Sequence, residues 1–239
     1  MYKILNVSQN FKTKKSESKG YLTGIIYLAP HTTAGIEDAK GKVLNTCPAS
    51  NEACRKACLF TAGMAGVFKS INEARIKKTK RLINDTENFL KDLKRDIMIL
   101  KADAESKNMI PNVRLNGTSD LNWYDYRLDG KNIFEIFPEV QFYDYTKRVD
   151  LFESMPLNLH LTYSFSGTNI IQAQNALNKG INVTIVVSTK EQKNYFLTDD
   201  SNFIDGDETD LRFLDGTGKI VVLTAKGRAK NDDLGFLIA

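Results

Sequence analysis

Six short apolar runs, rich in β-branched and aromatic residues, recur along this chain at 21–28, 113–116, 140–143, 159–163, 183–187 and 220–224. Each reads as a buried strand. Helical or loop segments lie between several of them, such as 170–179, which ends at Gly180. Apolar strands that alternate with crossover segments build βα units and a parallel sheet. No linker rich in Pro, Gly or Ser divides the 239 residues, a length that suits one large α/β domain. The expected fold is α/β: a partial or complete parallel βα (TIM-like) barrel, a single domain over 1–239. Its first strand is 21–28, and a flexible N-terminal segment occupies about 1–19.

Between the first two strands, a long helical pattern covers 70–107. Leu82, Phe89, Leu90, Leu93, Ile97 and Leu100 keep a 3.6-residue repeat with charged residues on the other face. Asn84-Asp85-Thr86 ahead of Glu87 predicts a break and a second helix start. The charged face reads as solvated. A net charge of +4 is mild and shows no concentrated basic stripe, so nucleic-acid binding is not indicated. Lys12 to Lys19 mixes lysines with serines and a glutamate and reads as a solvated loop. Neither a secretory signal nor a run of about 18 apolar residues is present, so the expected location is cytoplasmic, away from membranes.

All three cysteines, Cys47, Cys54 and Cys58, fall within twelve residues. An odd number cannot close into disulfides within the chain, and a reducing compartment favours metal binding or catalysis over disulfides. Thiolates suit a soft metal centre. Three readings stand. The first is a [4Fe–4S] cluster held by the three cysteines with one iron open to an unknown small-molecule ligand. The second is a zinc completed by His31 as Cys3His, His160 being placed in a strand. The third is three buried small residues. Cys54 and Cys58 are spaced i, i+4, which on a helix sets their β-carbons ~5–6 Å apart on one face. Arg55 and Lys56 next to them would favour thiolates.

In parallel βα folds, ligand chemistry gathers where strands end. The segments after the predicted strands are Gly117 to Trp123, Asp144 to Lys147, Ser164 to Gly167, Ser188 to Lys190 and Ala225 to Gly227. Each one alone could be a turn or a helix cap; together they point to a pocket. Arg114, inside an apolar strand, needs a carboxylate partner or a cavity. Asp144 and Lys147 are not assigned as an acid–base pair. Asp205-Gly-Asp207 with Asp210 offers oxygen ligands for calcium or magnesium, but lacks EF-hand spacing and reads better as a solvated acidic turn.

Cys47…Cys54-x-x-x-Cys58, Val113-Arg-Leu-Asn-Gly-Thr-Ser-Asp120, Gln141-Phe-Tyr-Asp-Tyr-Thr-Lys147, Leu161-Thr-Tyr-Ser164, Asp205-Gly-Asp207…Asp210-Leu-Arg-Phe213 and Ala225-Lys-Gly227 together resemble the phage "gene product eighty-eight" family. The resemblance runs from about Tyr21 to Phe236. It implies a phage or mobile-element origin, hence the host cytoplasm, more than a mechanism. A second resemblance is to radical S-adenosylmethionine enzymes, which place three cysteines in the loop after the first strand of a partial βα barrel. Here six and three residues separate the cysteines, where that group has three and two. In place of its Gly-Gly-Glu segment the nearest match is Asn116-Gly117-Thr118. That resemblance implies S-adenosylmethionine as the ligand of the open iron. If the chain is an enzyme, Asp120, Tyr145 and Lys147 are the catalytic candidates, with Asn116, Ser119 and Ser164 as cofactor contacts. The rival class is a non-enzymatic binding protein in which a zinc or cluster orders the loop.

Overall fold

The computed structural model describes residues 2–8, 11–199 and 201–238. In chain order its strands are β1 (Asn6–Val7), β2 (Tyr21–Ile25), β3 (Ile110–Arg114), β4 (Arg127–Leu128), β5 (Lys131–Asn132), β6 (Gln141–Thr146), β7 (Leu159–Ser164), β8 (Val183–Val187), β9 (Phe203–Asp205) and β10 (Ile220–Thr224). Its helices are α1 (Phe11–Glu17), α2 (Glu52–Lys56), α3 (Met64–Val67), α4 (Lys69–Asn84), α5 (Thr86–Ser106), α6 (Ile133–Ile136), α7 (Ile170–Asn178) and α8 (Lys190–Asp199). All six predicted strands form. The break expected near Asn84 falls at Asp85, which separates α4 from α5 with φ −147° and ψ 57°.

β4 and β5 make a small hairpin; the other eight strands form one sheet in the order β1-β2-β3-β6-β7-β8-β10-β9. Every ladder is parallel except β1 with β2. From β2 to β8 each strand lies beside its predecessor, as in a barrel. β9 then falls outside β10, and among the described residues no ladder joins β9 to β1, so the sheet is open and barrel closure is not shown. These edge strands have only two and three residues, and each pairs on its inner side alone, with β2 and with β10. Side chains link the edges instead: Lys15 Nζ donates to the Asp207 carbonyl, Lys19 pairs with Glu208 at 2.8 Å, and the Tyr21 and Phe213 rings meet edge-on at 5.4 Å.

Strand periodicity sorts the side chains. Leu22, Val113, Phe142, Leu159 and Leu161 pack with Leu93, Ile97 and Leu100 of α5 in the main core. Each such fully buried side chain contributes about 1.5–3 kcal/mol. Intervening positions, Thr23, Asn112, Tyr143 and Thr162, are buried and polar or aromatic. Against this second face lies the segment after β9, where Phe213 meets Tyr143 at 5.6 Å.

The N-terminal region differs from expectation. Ile4 and Leu5 are core residues, and Phe11–Glu17, expected as a loop, is α1. Of the segment 1–19, positions 1, 9 and 10 lie outside the described residues. Among the described residues no helix is long and apolar enough to cross a membrane.

Candidate metal centre

The cysteine loop leaves the C-terminal end of β2 and is pinned on both sides. Thr46, almost fully buried, donates from its hydroxyl to the Ala29 carbonyl (2.7 Å) and from its N–H to the His31 carbonyl (3.0 Å), and its own carbonyl accepts from Asp120 N–H (2.8 Å). Cys47 follows at once. Its N–H is held by Asn45 Oδ1 (2.8 Å) and its Sγ accepts from the His31 N–H at 3.3 Å.

Asn51 caps α2 by accepting from the Cys54 N–H at 2.8 Å. Its amide also donates to the Ser166 carbonyl (2.7 Å) and to Thr168 Oγ1 (2.8 Å), so one side chain ties the cysteine helix to the segment after β7. α2 ends at Lys56, and Cys58 is extended, with φ −57° and ψ 133°. The expected i, i+4 pair on one helix is therefore corrected: α2 stops two residues short of Cys58, which enters from the following turn. Arg55 bonds the Ser50 carbonyl and Lys56 pairs with Asp233, while Lys147 and Arg75 are the positive groups that act on Cys58.

The strand ends opposite are equally constrained. A β-carbon on Gly117 would lie 2.7 Å from the Ile26 carbonyl, so glycine permits the close approach of this turn to the β2 extension. Asn116 Oδ1 accepts from Ser119 Oγ (2.8 Å), Leu121 N–H (3.0 Å) and Trp123 Nε1 (3.1 Å). Asn116 and Ser119 thus shape the turn as well as line the site. Asp120 accepts from Thr146 Oγ1 (2.7 Å) and Lys147 N–H (3.0 Å); burial raises its carboxyl, and these donors oppose that rise. Tyr145 donates to Asp210 Oδ1 at 3.2 Å, and Lys147 Nζ donates to Ser164 Oγ at 3.0 Å. Arg114 has both of its expected features: it pairs with Asp210 (2.8 Å) and Asp144 (3.4 Å) and lines a cavity.

That cavity, of about 240 Å³, is lined by Cys47, Cys54 and Cys58 together with Asn116, Ser119, Asp120, Tyr145, Lys147 and Ser164. All nine residues singled out in the sequence thus share one wall system. Sequence reasoning missed Asn51 and Thr46. Asn51 had a readable signal, a cap residue three positions before Cys54; Thr46 had none. The acidic turn is also different from expectation: Asp205 and Asp207 pair with Lys193 and Lys226, and Asp210 is buried against Arg114.

Burial pushes the Cys47 thiol up to about 11, reinforced by Asp120 and Cys58, and it raises Cys58 as well, with Cys54 adding to the effect. Buried thiols held protonated are poor nucleophiles, whereas a bound cation reverses that balance. All three are free of disulfides. The His31 imidazole bonds Thr32 Oγ1 (3.0 Å), so only its backbone reaches Cys47, and His160 does not line the cavity. Among the described residues no three His, Cys, Asp or Glu side chains gather around a single ion. The Cys3His zinc arrangement therefore lacks its fourth ligand and its convergence. A cubane differs in needing its three thiolates on three separate irons, which a donor set spread around one cavity can supply.

No curated protein and no solved structure matches this chain. Residues 4–239 match the family described as Gene product 88, extending the motif resemblance to both ends of the chain. The chain belongs to the Gene product 88 family.

Proposed function

We propose that this protein holds a [4Fe–4S] cluster on Cys47, Cys54 and Cys58, with the fourth iron open to the cavity. One observation carries the reading: three half-buried thiols, free of disulfides, from a loop, a short helix and a turn line a single cavity with the polar ends of β3, β6 and β7. When bound, such a cluster offers an open coordination site and one-electron chemistry. The chain's own residues prepare that site. Lys147, steadied by Ser164, presents a cation to an anionic part of the ligand. Asp120 and Tyr145 are held by Thr146 and Asp210, and they shape the wall and set its field. The ligand we favour is a small amine–carboxylate chelator of the S-adenosylmethionine type, because the cysteine loop follows the first parallel strand and later strand ends surround it. A reducing cytoplasm suits the free thiols.

Anaerobic purification tests the reading. The protein should be brown, with about four irons and matching sulfide per chain, and Cys54→Ala should lose both. Stoichiometric zinc without iron or sulfide would sink it. Adding S-adenosylmethionine to the reduced protein should change its electron paramagnetic resonance spectrum. An unchanged spectrum at saturating cofactor removes that ligand and leaves the cluster.

A further inference from the structure

A second, larger cavity of about 880 Å³ opens at the C-terminal ends of β8, β9 and β10. It shares Leu223, Thr224 and Lys226 with the thiol-lined cavity, so the two adjoin. Five lysines line it: Lys15, Lys190, Lys193, Lys226 and Lys230. Its four carboxylates are already committed. Asp205 and Asp207 accept from Lys193 (2.9 and 3.4 Å), Asp207 also from Lys226 (2.7 Å), Glu208 pairs with Lys19, and Asp210 with Arg114. Lys190 and Lys230 are exposed and form no ion pair among the described residues, although the charge of Lys190 acts on the neighbouring Glu191 carboxylate. One follows β8 and the other follows β10, so two ammonium groups outside any ion pair come from separate loops to one cavity, Lys190 with the Glu191 carboxylate beside it in sequence.

We propose that this cavity binds a small phosphorylated molecule through Lys190 and Lys230, beside the thiol-lined cavity. The role of the thiol-lined cavity rests on the cluster reading; the anion site does not. Ammonium groups are point-charge phosphate binders; the Ser188 and Thr189 hydroxyls on the same wall are engaged with Gln192 of α8, which leaves the two lysines as the anion-binding groups. The volume lies in the range of small-molecule sites. The carboxylates of Asp205, Asp207 and Glu208 on the same wall would repel a phosphate backbone running onward, which favours a compact ligand over a nucleic acid.

Inorganic pyrophosphate is the probe, titrated calorimetrically into the full chain at low salt, iron-loaded and iron-free, with the loaded protein as the decisive arm. Wild type should bind, more weakly as salt rises. Lys190→Ala with Lys230→Ala should weaken binding by at least about tenfold, the factor of one charge-assisted hydrogen bond, with melting temperature and iron content unchanged. Absence of binding, or equal binding by the double variant, overturns the proposal. So does lysine-dependent binding of a single-stranded oligonucleotide without binding of pyrophosphate. Iron loading without pyrophosphate binding defeats the anion site alone, and pyrophosphate binding by a protein that takes up no iron defeats the cluster alone.

Discussion

Arg114 carries a guanidinium that is 7% exposed, between Asp144 and Asp210 and 4.7 Å from the Tyr145 ring centroid. Burial opposes its charge, but Asp210 and Asp144 outweigh burial and hold its pKa above the ordinary value. Asp144 also accepts from the Leu115 and Asn116 N–H groups (3.1 and 3.0 Å), so it joins β6 to the turn that shapes the cavity. Removing one partner of such a buried group leaves an uncompensated charge, which costs about 3–5 kcal/mol. Arg114→Met should therefore destabilise the protein by that amount in urea unfolding, and adding Asp210→Asn should recover part of the loss. A single variant as stable as wild type would show that the triad is not coupled to folding. The need for a carboxylate partner was readable from Arg114 inside an apolar run. Which carboxylate was not, because Asp210 lies 96 positions away in sequence.

At the scale of elements, the cysteine helix is only five residues long, too short to persist without external support. Asn51 supplies it through the cap to Cys54 and the two donations to the segment after β7. Asn51→Ala should lower stability by about 1–2 kcal/mol and release iron faster under a chelator. Asn51→Asp keeps the cap but loses the donations, so it should restore only part of either property. Thermal melting and chelation kinetics of the two variants decide this; an alanine variant indistinguishable from wild type would mean that α2 is held by something else. The pattern after Cys54 reads as helical with interruptions at Gly63 and Gly66; Gly63, at φ 59°, does break it, whereas Gly66 lies inside α3 and the extended Cys58 makes a break that the pattern does not mark. Local propensity cannot register a chain that leaves a helix in order to turn its thiol toward a distant wall.

For the whole molecule, the N-terminal strand is clamped by both long helices. Lys78 of α4 donates to the Ile4 carbonyl (2.6 Å) and Asn6 Oδ1 (3.2 Å), and Asp96 of α5 accepts from the Ile4 and Leu5 N–H groups (2.6 and 3.1 Å). Burial lowers the Lys78 pKa to about 8 from 10.5. Between these values the unfolded chain binds the proton that the folded chain has lost, so this group's contribution to stability rises with pH. Its penalty is present in full below about pH 8 and is relieved toward 10.5. The ceiling is about 3 kcal/mol, at ~1.4 kcal/mol per unit. The stability of wild type relative to Lys78→Met should climb over that window in denaturant titrations at stepped pH. A flat difference would show that Lys78 does not titrate with folding.

The sequence by itself determined the parallel α/β class, six of the ten described strands, the helix break at Asp85 and the residues worth placing around one cavity, because these follow from periodicity and chemistry within short windows. Tertiary structure decided the rest. The sheet runs from β1 at one edge to β9, outside β10, at the other, and among the described residues no ladder joins those edges. Asp210 and Asn51 acquire their roles from partners far away in sequence, and the lysine cavity exists only because the loops after β8, β9 and β10 meet. Such placements depend on strand order and register, which no local pattern encodes.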